Sequence, residues 1–195
     1  NIHSVVKALD YLKVKHKIIK KADDINNVEA IILPGVGSFD AAMESLNNNG
    51  FTNEIKEASK KNLPIMGVCL GMQLLFEKSD EGSMAGIGIV KGEVIKINVD
   101  NTNLKIPHMG WNKTTKCHGN TLMDGIENDT YFYYVHGYKC IPHDESIMTS
   151  FTTYSQKICS SIEVNSIFGT QFHPEKSGME GINVYKNFIS KLKEL

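Results

Sequence analysis

Apolar and polar positions alternate along this chain with two different periods. Ile2, Val5, Val6, Leu9 and Leu12 recur at helical spacing, which predicts that the chain opens within an amphipathic helix. AIILPG (30–35) reads as a short buried strand ended by Pro34 and Gly35. Ser38 is a candidate N-cap for a helix through Leu46, and residues 53–61 predict another helix, stopped before Pro64. PIMGV (64–68) is a second buried strand, and helical spacing resumes after Cys69. The pattern changes near Gly82. GIGIVKGEVIKINV (86–99), YFYYVHGY (131–138), SIMTSF (146–151), KICSSIEV (157–164) and IFGTQFH (167–173) read as strands. Tyr185, Phe188, Ile189 and Leu192 give a final helix, 178–192, one apolar face.

Alternating strands and helices in the first half imply a parallel sheet, which the β-rich second half extends or flanks. The expected architecture is a single α/β domain over residues 1–195: an open, mixed, mostly parallel sheet flanked by helices. No repeat, low-complexity segment or linker divides the chain.

Composition narrows the function classes. At 195 residues, 41% apolar and 22% charged, the chain can bury a core without staples. A formal net charge of −1 gives no reason to expect a nucleic-acid partner. The local basic run of Lys13, Lys15, Lys17, Lys20 and Lys21 reads as a solvated helix end and loop. No apolar run approaches the ~18 residues of a membrane span, so no membrane association is expected. Cys69, Cys117, Cys140 and Cys159 form no CxxC pair or zinc spacing, and no metal or other cofactor is expected. Free thiols in a reducing, cytoplasmic setting are the better reading.

Cys69 lies between Gly67 and Gly71, at the change from buried strand to helix, in GVCLG. A residue on such a sharp turn is exposed at the carboxyl end of a strand, where flanking side chains would collide. A helix N-terminus there favours thiolate, and its free N–H groups can hold an oxyanion. A buried structural cysteine accounts for the motif alone about as well. GTQFHPEKS (169–177) changes the balance. His173 and Glu175 are two apart in a segment that Pro174 keeps extended, so both side chains point the same way. Glu175 can then hold the imidazole while His173 serves Cys69. His136, in an aromatic-rich strand without a carboxylate two residues away, is the rival base and reads as packed or substrate-lining. His3, His16, His108, His118 and His143 have no partner pattern. LPGVGSF (33–39) lacks the third glycine of a dinucleotide fingerprint, and reads as an anion nest or a tight strand-to-helix turn.

GVCLGMQ, TQFHPE and LPGVG, in the chain order LPGVG, GVCLGMQ, TQFHPE, resemble class I, triad-type glutamine amidotransferases. PHMGWN (107–112), YYVHGY and HPEKSG narrow the resemblance to the glutaminase subunits of imidazole glycerol phosphate synthases. It covers nearly the whole chain. It implies that Cys69 attacks the carboxamide of glutamine, His173 moves the proton and Glu175 orients His173. It assigns the oxyanion hole to the N–H of Leu70 and the loop of Gly35, Val36 and Gly37, with a peptide flip near Val36. Gln73, Gly137 and Tyr138 match substrate-binding positions, although Gly137 stands where the family often has Ser or Thr. Asn1 and a loop of His108, Met109, Gly110 and Trp111 match the interface with a separate (β/α)8 synthase subunit, which forms a heterodimer and receives ammonia through an internal channel. The family carries a strand and a glycine-containing turn before the position of Asn1, so residues are expected to precede it.

Three other readings compete. A paralogue supplying ammonia for surface-sugar amidination has the same chemistry and a different barrel. An inactive scaffold would not need Cys69, His173 and Glu175 together. A cysteine hydrolase acting on peptides would not need Gln73 or the glycine loop.

Overall fold

The computed structural model describes residues 2–100, 102–117 and 121–192. Asn1 and His118, singled out above, lie outside the described residues. The elements begin with helix α1 (Ile2–Tyr11), strand β1 (Ile31–Gly35), helices α2 (Phe39–Asn48) and α3 (Phe51–Lys60), strand β2 (Ile65–Cys69) and helix α4 (Leu70–Leu74). Strands β3 (Lys78–Ser79), β4 (Gly92–Lys96), β5 (His108–Lys116), β6 (Thr130–His136), β7 (Tyr138–Pro142), β8 (Met148–Tyr154), β9 (Gln156–Val164) and β10 (Ile167–Thr170) follow, before helix α5 (Gly178–Lys191).

Seven strands form one sheet in the order β1-β2-β10-β9-β8-β5-β6, and β3-β4-β7 form a second, smaller sheet. The mixed sheet agrees with expectation, but its parallel part is smaller than the sequence suggested. Among the described residues of the large sheet only β1–β2 and β2–β10 pair in parallel; its other pairs are antiparallel. Hairpin connections such as β8–β9, turned at Ser155 alone, need no helical crossover, and the second half of the chain is built from them.

β2 is buried along its whole length because helices cover both faces. Its alternate residues feed two cores. Ile65 packs with Phe39, Met43 and Ile55 under α2 and α3, whereas Met66 and Val68 pack with Val5, Leu9, Val184 and Phe188 of α1 and α5. Ser38 occupies the N-cap position of α2, yet its side chain caps nothing. The orphan N–H of Phe39 is instead accepted by the carboxylate of Glu81 at 3.0 Å.

Two expected elements differ. The apolar run 86–99 forms a strand only at Gly92–Lys96. Its first part is a buried loop: the N–H groups of Ile87, Ile89 and Val90 donate to the carbonyls of Leu74 and Leu75. That loop satisfies the end of α4, which explains why the helix after Cys69 is only five residues long. Residues 108–111, expected in a loop, belong to β5. The lysines after α1 are exposed, as expected. Among the described residues no helix is long and apolar enough to cross a membrane.

Candidate active site

Cys69 closes β2 and opens α4 with φ 54° and ψ −112°. A non-glycine residue is strained there, which is the backbone signature of a nucleophile elbow. The flanking glycines answer to close packing: a Cβ on Gly71 would stand 1.8 Å from the carbonyl oxygen of Leu33, and one on Gly67 would stand 2.7 Å from Met72 main-chain atoms. β1 and the turn are thus pressed together, and Gly35 is the register partner of Cys69.

His173 follows β10, beside β2, so the two halves of the chain meet at one sheet end. The His173 Nδ1 and Glu175 Oε1 atoms are 2.8 Å apart, with both side chains almost fully buried. The Tyr185 hydroxyl donates to Glu175 Oε2 at 3.3 Å. Burial alone would lower the imidazole pKa, but the Cys69 thiol and the Glu175 carboxylate outweigh it and lift the value to about 9. Burial would raise Glu175, but its bond to His173 holds the carboxyl below its ordinary value. Among the described residues, His173 Nε2 is the one buried side-chain nitrogen or oxygen with no hydrogen-bond partner. Buried polar groups are nearly always paired, so an unpaired one beside a thiol marks a place for chemistry.

The thiol, imidazole and glycine loop line one cavity of about 220 Å³. Val36, Gly37, Leu70, Gln73, Gly137 and Tyr138 share that lining. Gly35 is not in the lining and packs against Leu70 and Gly71. Val36 is 61% exposed at the mouth, and Gly37 has φ +100°, a backbone conformation natural to glycine. Gln73 is buried, and its amide nitrogen donates to the Tyr138 carbonyl at 3.2 Å and to Gln171 Oε1 at 3.0 Å.

His136 also lines the cavity, but burial pushes its pKa down to about 3, and its Nδ1 is 2.7 Å from the Tyr138 carbonyl oxygen. It is a neutral lining residue, with no carboxylate on its ring. His108 is buried as well and lowered to about 4 by that burial. It faces inward, so the expectation of a partner-facing His108 is corrected: it stacks between Tyr134 and Tyr154. Met109 and Trp111, which alternate with it in β5, are 61% and 56% exposed. Gly110 has φ +126° between them.

Sequence reasoning missed several members of the site. Gln171 is fully buried, with Nε2 3.9 Å from the Cys69 sulfur. Its place two residues before His173 in an extended segment was the available signal. Glu81 and Lys176 bring the two opposite charges of the lining, and no motif announces Glu81. The main chain of β6 contributes too: the Cys69 thiol donates to the Val135 carbonyl at 3.8 Å, and the His173 N–H to the Tyr133 carbonyl at 2.9 Å.

Comparison with known proteins agrees with this geometry. The family model described as glutamine amidotransferase class-I matches residues 1–192. The chain is 40% identical over 190 residues to "Imidazole glycerol phosphate synthase subunit HisH" of Chlorobaculum tepidum, covering 96% of this chain and 94% of that one. It is 43% identical over 194 residues to the HisH subunit of Caldanaerobacter subterraneus, covering 99% and 94%. Among solved structures it resembles a glutamine amidotransferase with TM-score 0.77 at 14% identity, covering 100% and 95% of the two chains. PurLQS from Thermotoga maritima gives 0.75 at 19% identity, covering 97% and 92%. These structural likenesses bear on the fold alone, and the sequence matches bear on descent: the chain belongs to the class-I glutamine amidotransferase family.

Proposed function

We propose that this chain is the glutaminase subunit of an imidazole glycerol phosphate synthase. The observation that carries the chemistry is the unpaired Nε2 of His173, held by Glu175 beside the strained Cys69. Glutamine enters the cavity with its carboxamide over Cys69. The Glu81 carboxylate, anchored on the Phe39 N–H, suits the α-ammonium, and Lys176 suits the α-carboxylate. Cys69 Sγ bonds to the carboxamide carbon, and the thiol proton resides on His173. The tetrahedral oxyanion is held by the N–H of Leu70 and the glycine loop. The C–N bond then breaks as His173 passes its proton to the nitrogen, releasing ammonia. Water, deprotonated by His173, attacks the thioester carbon, and the C–S bond breaks to give glutamate and the restored thiol.

Ammonia in bulk water at neutral pH is mostly ammonium, which is not a nucleophile. Containment therefore calls for an acceptor site joined to this one, and the relatives' printed name is that of a subunit. The partner in this reading is a (β/α)8 synthase subunit, docked over the exposed Met109 and Trp111 in a cytoplasmic heterodimer. The surface-sugar paralogue is not favoured, because the relatives reported above are HisH subunits. The test is glutamate release by the chain alone and with the barrel subunit carrying its nucleotide ligand, together with growth of a histidine auxotroph lacking this subunit. Strong stimulation and growth are expected. Equal activity without a partner, or no growth from a folded, matched pair, overturns the assignment.

A further inference from the structure

β5 and β6 pair with His108 opposite His136. The His108 Nδ1 and His136 Nε2 atoms are 3.0 Å apart, and His136 Nδ1 is 2.7 Å from the Tyr138 carbonyl oxygen. On the other side, Asn112 Nδ2 is 3.1 Å from His108 Nε2 and also donates to the Thr153 carbonyl at 3.0 Å. The Asn112 amide is oriented by its own oxygen, which accepts from the Lys113 N–H at 2.8 Å. This fixes every proton in the chain. A carbonyl only accepts, so His136 carries its proton on Nδ1 and its Nε2 accepts. His108 must then donate through Nδ1, which leaves its Nε2 to accept from Asn112. Both rings are neutral, and each nitrogen has one partner.

The chain ends on a carbonyl that the reaction pocket uses. Tyr138 oxygen receives both His136 Nδ1–H and Gln73 Nε2–H, so its two lone pairs are filled. Gln73 is thereby held against Gln171, whose amide reaches the Cys69 sulfur. We infer that Asn112, His108 and His136 form a one-directional relay of positioning residues that fixes the Tyr138 carbonyl and, through it, Gln73 in the orientation glutamine needs. The inference rests on the glutaminase reading of the pocket. The relay starts on the strand whose Met109 and Trp111 are exposed, so a ligand of β5 would reach the substrate wall without touching the nucleophile.

Two substitutions separate the hydrogen bond from the packing. His108→Phe keeps an aromatic ring between Tyr134 and Tyr154 but leaves His136 Nε2 without a donor. His108→Asn gives up the stack and keeps a donor nitrogen where Nδ1 stood. In the complex with the barrel subunit and its nucleotide ligand, His108→Phe is expected to raise the KM for glutamine about tenfold, with kcat within about threefold, because a buried acceptor loses its donor. His108→Asn is expected to stay near the parent KM. Equal KM rises in both variants, no rise in either, or a rise only with Asn overturns the relay. The wild-type chain gives an independent reading: long-range nitrogen–proton correlation spectra of histidine-labelled protein at pH 7 should show His108 and His136 neutral and protonated on Nδ1. An Nε2–H tautomer at His136, or an imidazolium at either site, overturns the relay as well. A wild-type complex without glutaminase activity would count against the proposed function, and the spectrum would still judge the relay.

Discussion

Glu175 Oε1 sits 2.8 Å from His173 Nδ1, and only one residue separates the two along the chain. The orientation of the base is therefore a local property, set by Pro174 and the short turn that follows it. The proposed nucleophile comes from the other half of the chain, and β2–β10 pairing, with the β6 carbonyls of Tyr133 and Val135, brings it to the proposed base. Orientation and delivery are thus separable by mutation.

Delivery is tested at the sulfur. Cys69→Ala is expected to reduce glutamine-dependent synthesis in the complex by at least about 10³-fold. Synthesis from added ammonia should remain within about twofold. Loss of both activities from a folded complex would contradict the division of labour.

Orientation is tested at Glu175. Glu175→Gln is expected to lower kcat for glutamine about 10²-fold, because a neutral amide neither fixes the tautomer nor supports the imidazolium. The wild-type pH profile should lose activity as pH rises through about 9, where His173 gives up the proton needed by the leaving ammonia. In the variant that alkaline limb moves to lower pH. An unmoved limb would assign it to another group.

Folding stability should be greatest near pH 6.5. His173 is raised to about 9, so the native state holds the extra proton, and its contribution is full below about 6.5 and lost as pH rises through 9. That loss is about 3 kcal/mol. His108 and His136 are lowered to about 4 and about 3, so below 6.5 the unfolded chain takes up protons that the native state refuses. Each then removes up to about 1.4 kcal/mol per pH unit. Urea titrations between pH 5 and 9.5 measure both limbs. A flat profile would mean that these histidines keep ordinary values in the folded chain.

The docking surface is tested at its largest exposed ring. Trp111→Ala should weaken the heterodimer by about 2 kcal/mol, roughly thirtyfold in Kd, while leaving the melting temperature of the free subunit unchanged. Trp111 is 56% exposed and meets the Tyr133 ring edge-on. Calorimetry of the pair reads the first, thermal denaturation the second.

Close packing at the elbow is tested by Gly71→Ala, whose Cβ would fall on the Leu33 carbonyl. A destabilisation of about 3 kcal/mol or more is expected, because backbone atoms on both sides must shift. The denaturation midpoint in urea measures it.

The residues proposed to act through side chains in local motifs were the legible part of the site. Cys69 between glycines, and His173 with Glu175 across a proline, declare themselves because the chemistry needs those types at that spacing. Gln171 sits in the same stretch as His173, but its contact with Gln73 is set by how β10 lies beside β2, which no local pattern encodes. Glu81 was hidden because it caps α2 from a distance in sequence. The helices and buried strands of the first half followed from periodicity. The apolar run at 86–90 misled because burial alone does not distinguish a strand from a loop that satisfies a helix end. His108 was grouped with Met109 and Trp111 because the resemblance assigns that stretch to the interface as one loop; the stretch is a strand, and pleating turns His108 the other way.

β6 meets the two catalytic side-chain carriers through the carbonyls of Tyr133 and Val135. Replacing the Tyr133 or Val135 side chain leaves these carbonyls where they are, so a residue-by-residue substitution scan would miss both contacts. A single inserted or deleted residue between Thr130 and His136 would instead turn those carbonyls to the β5 side and move every side chain beyond it to the opposite face of the sheet. At this strand the catalytic information is carried by phase, and length changes rather than residue swaps are what would reveal it.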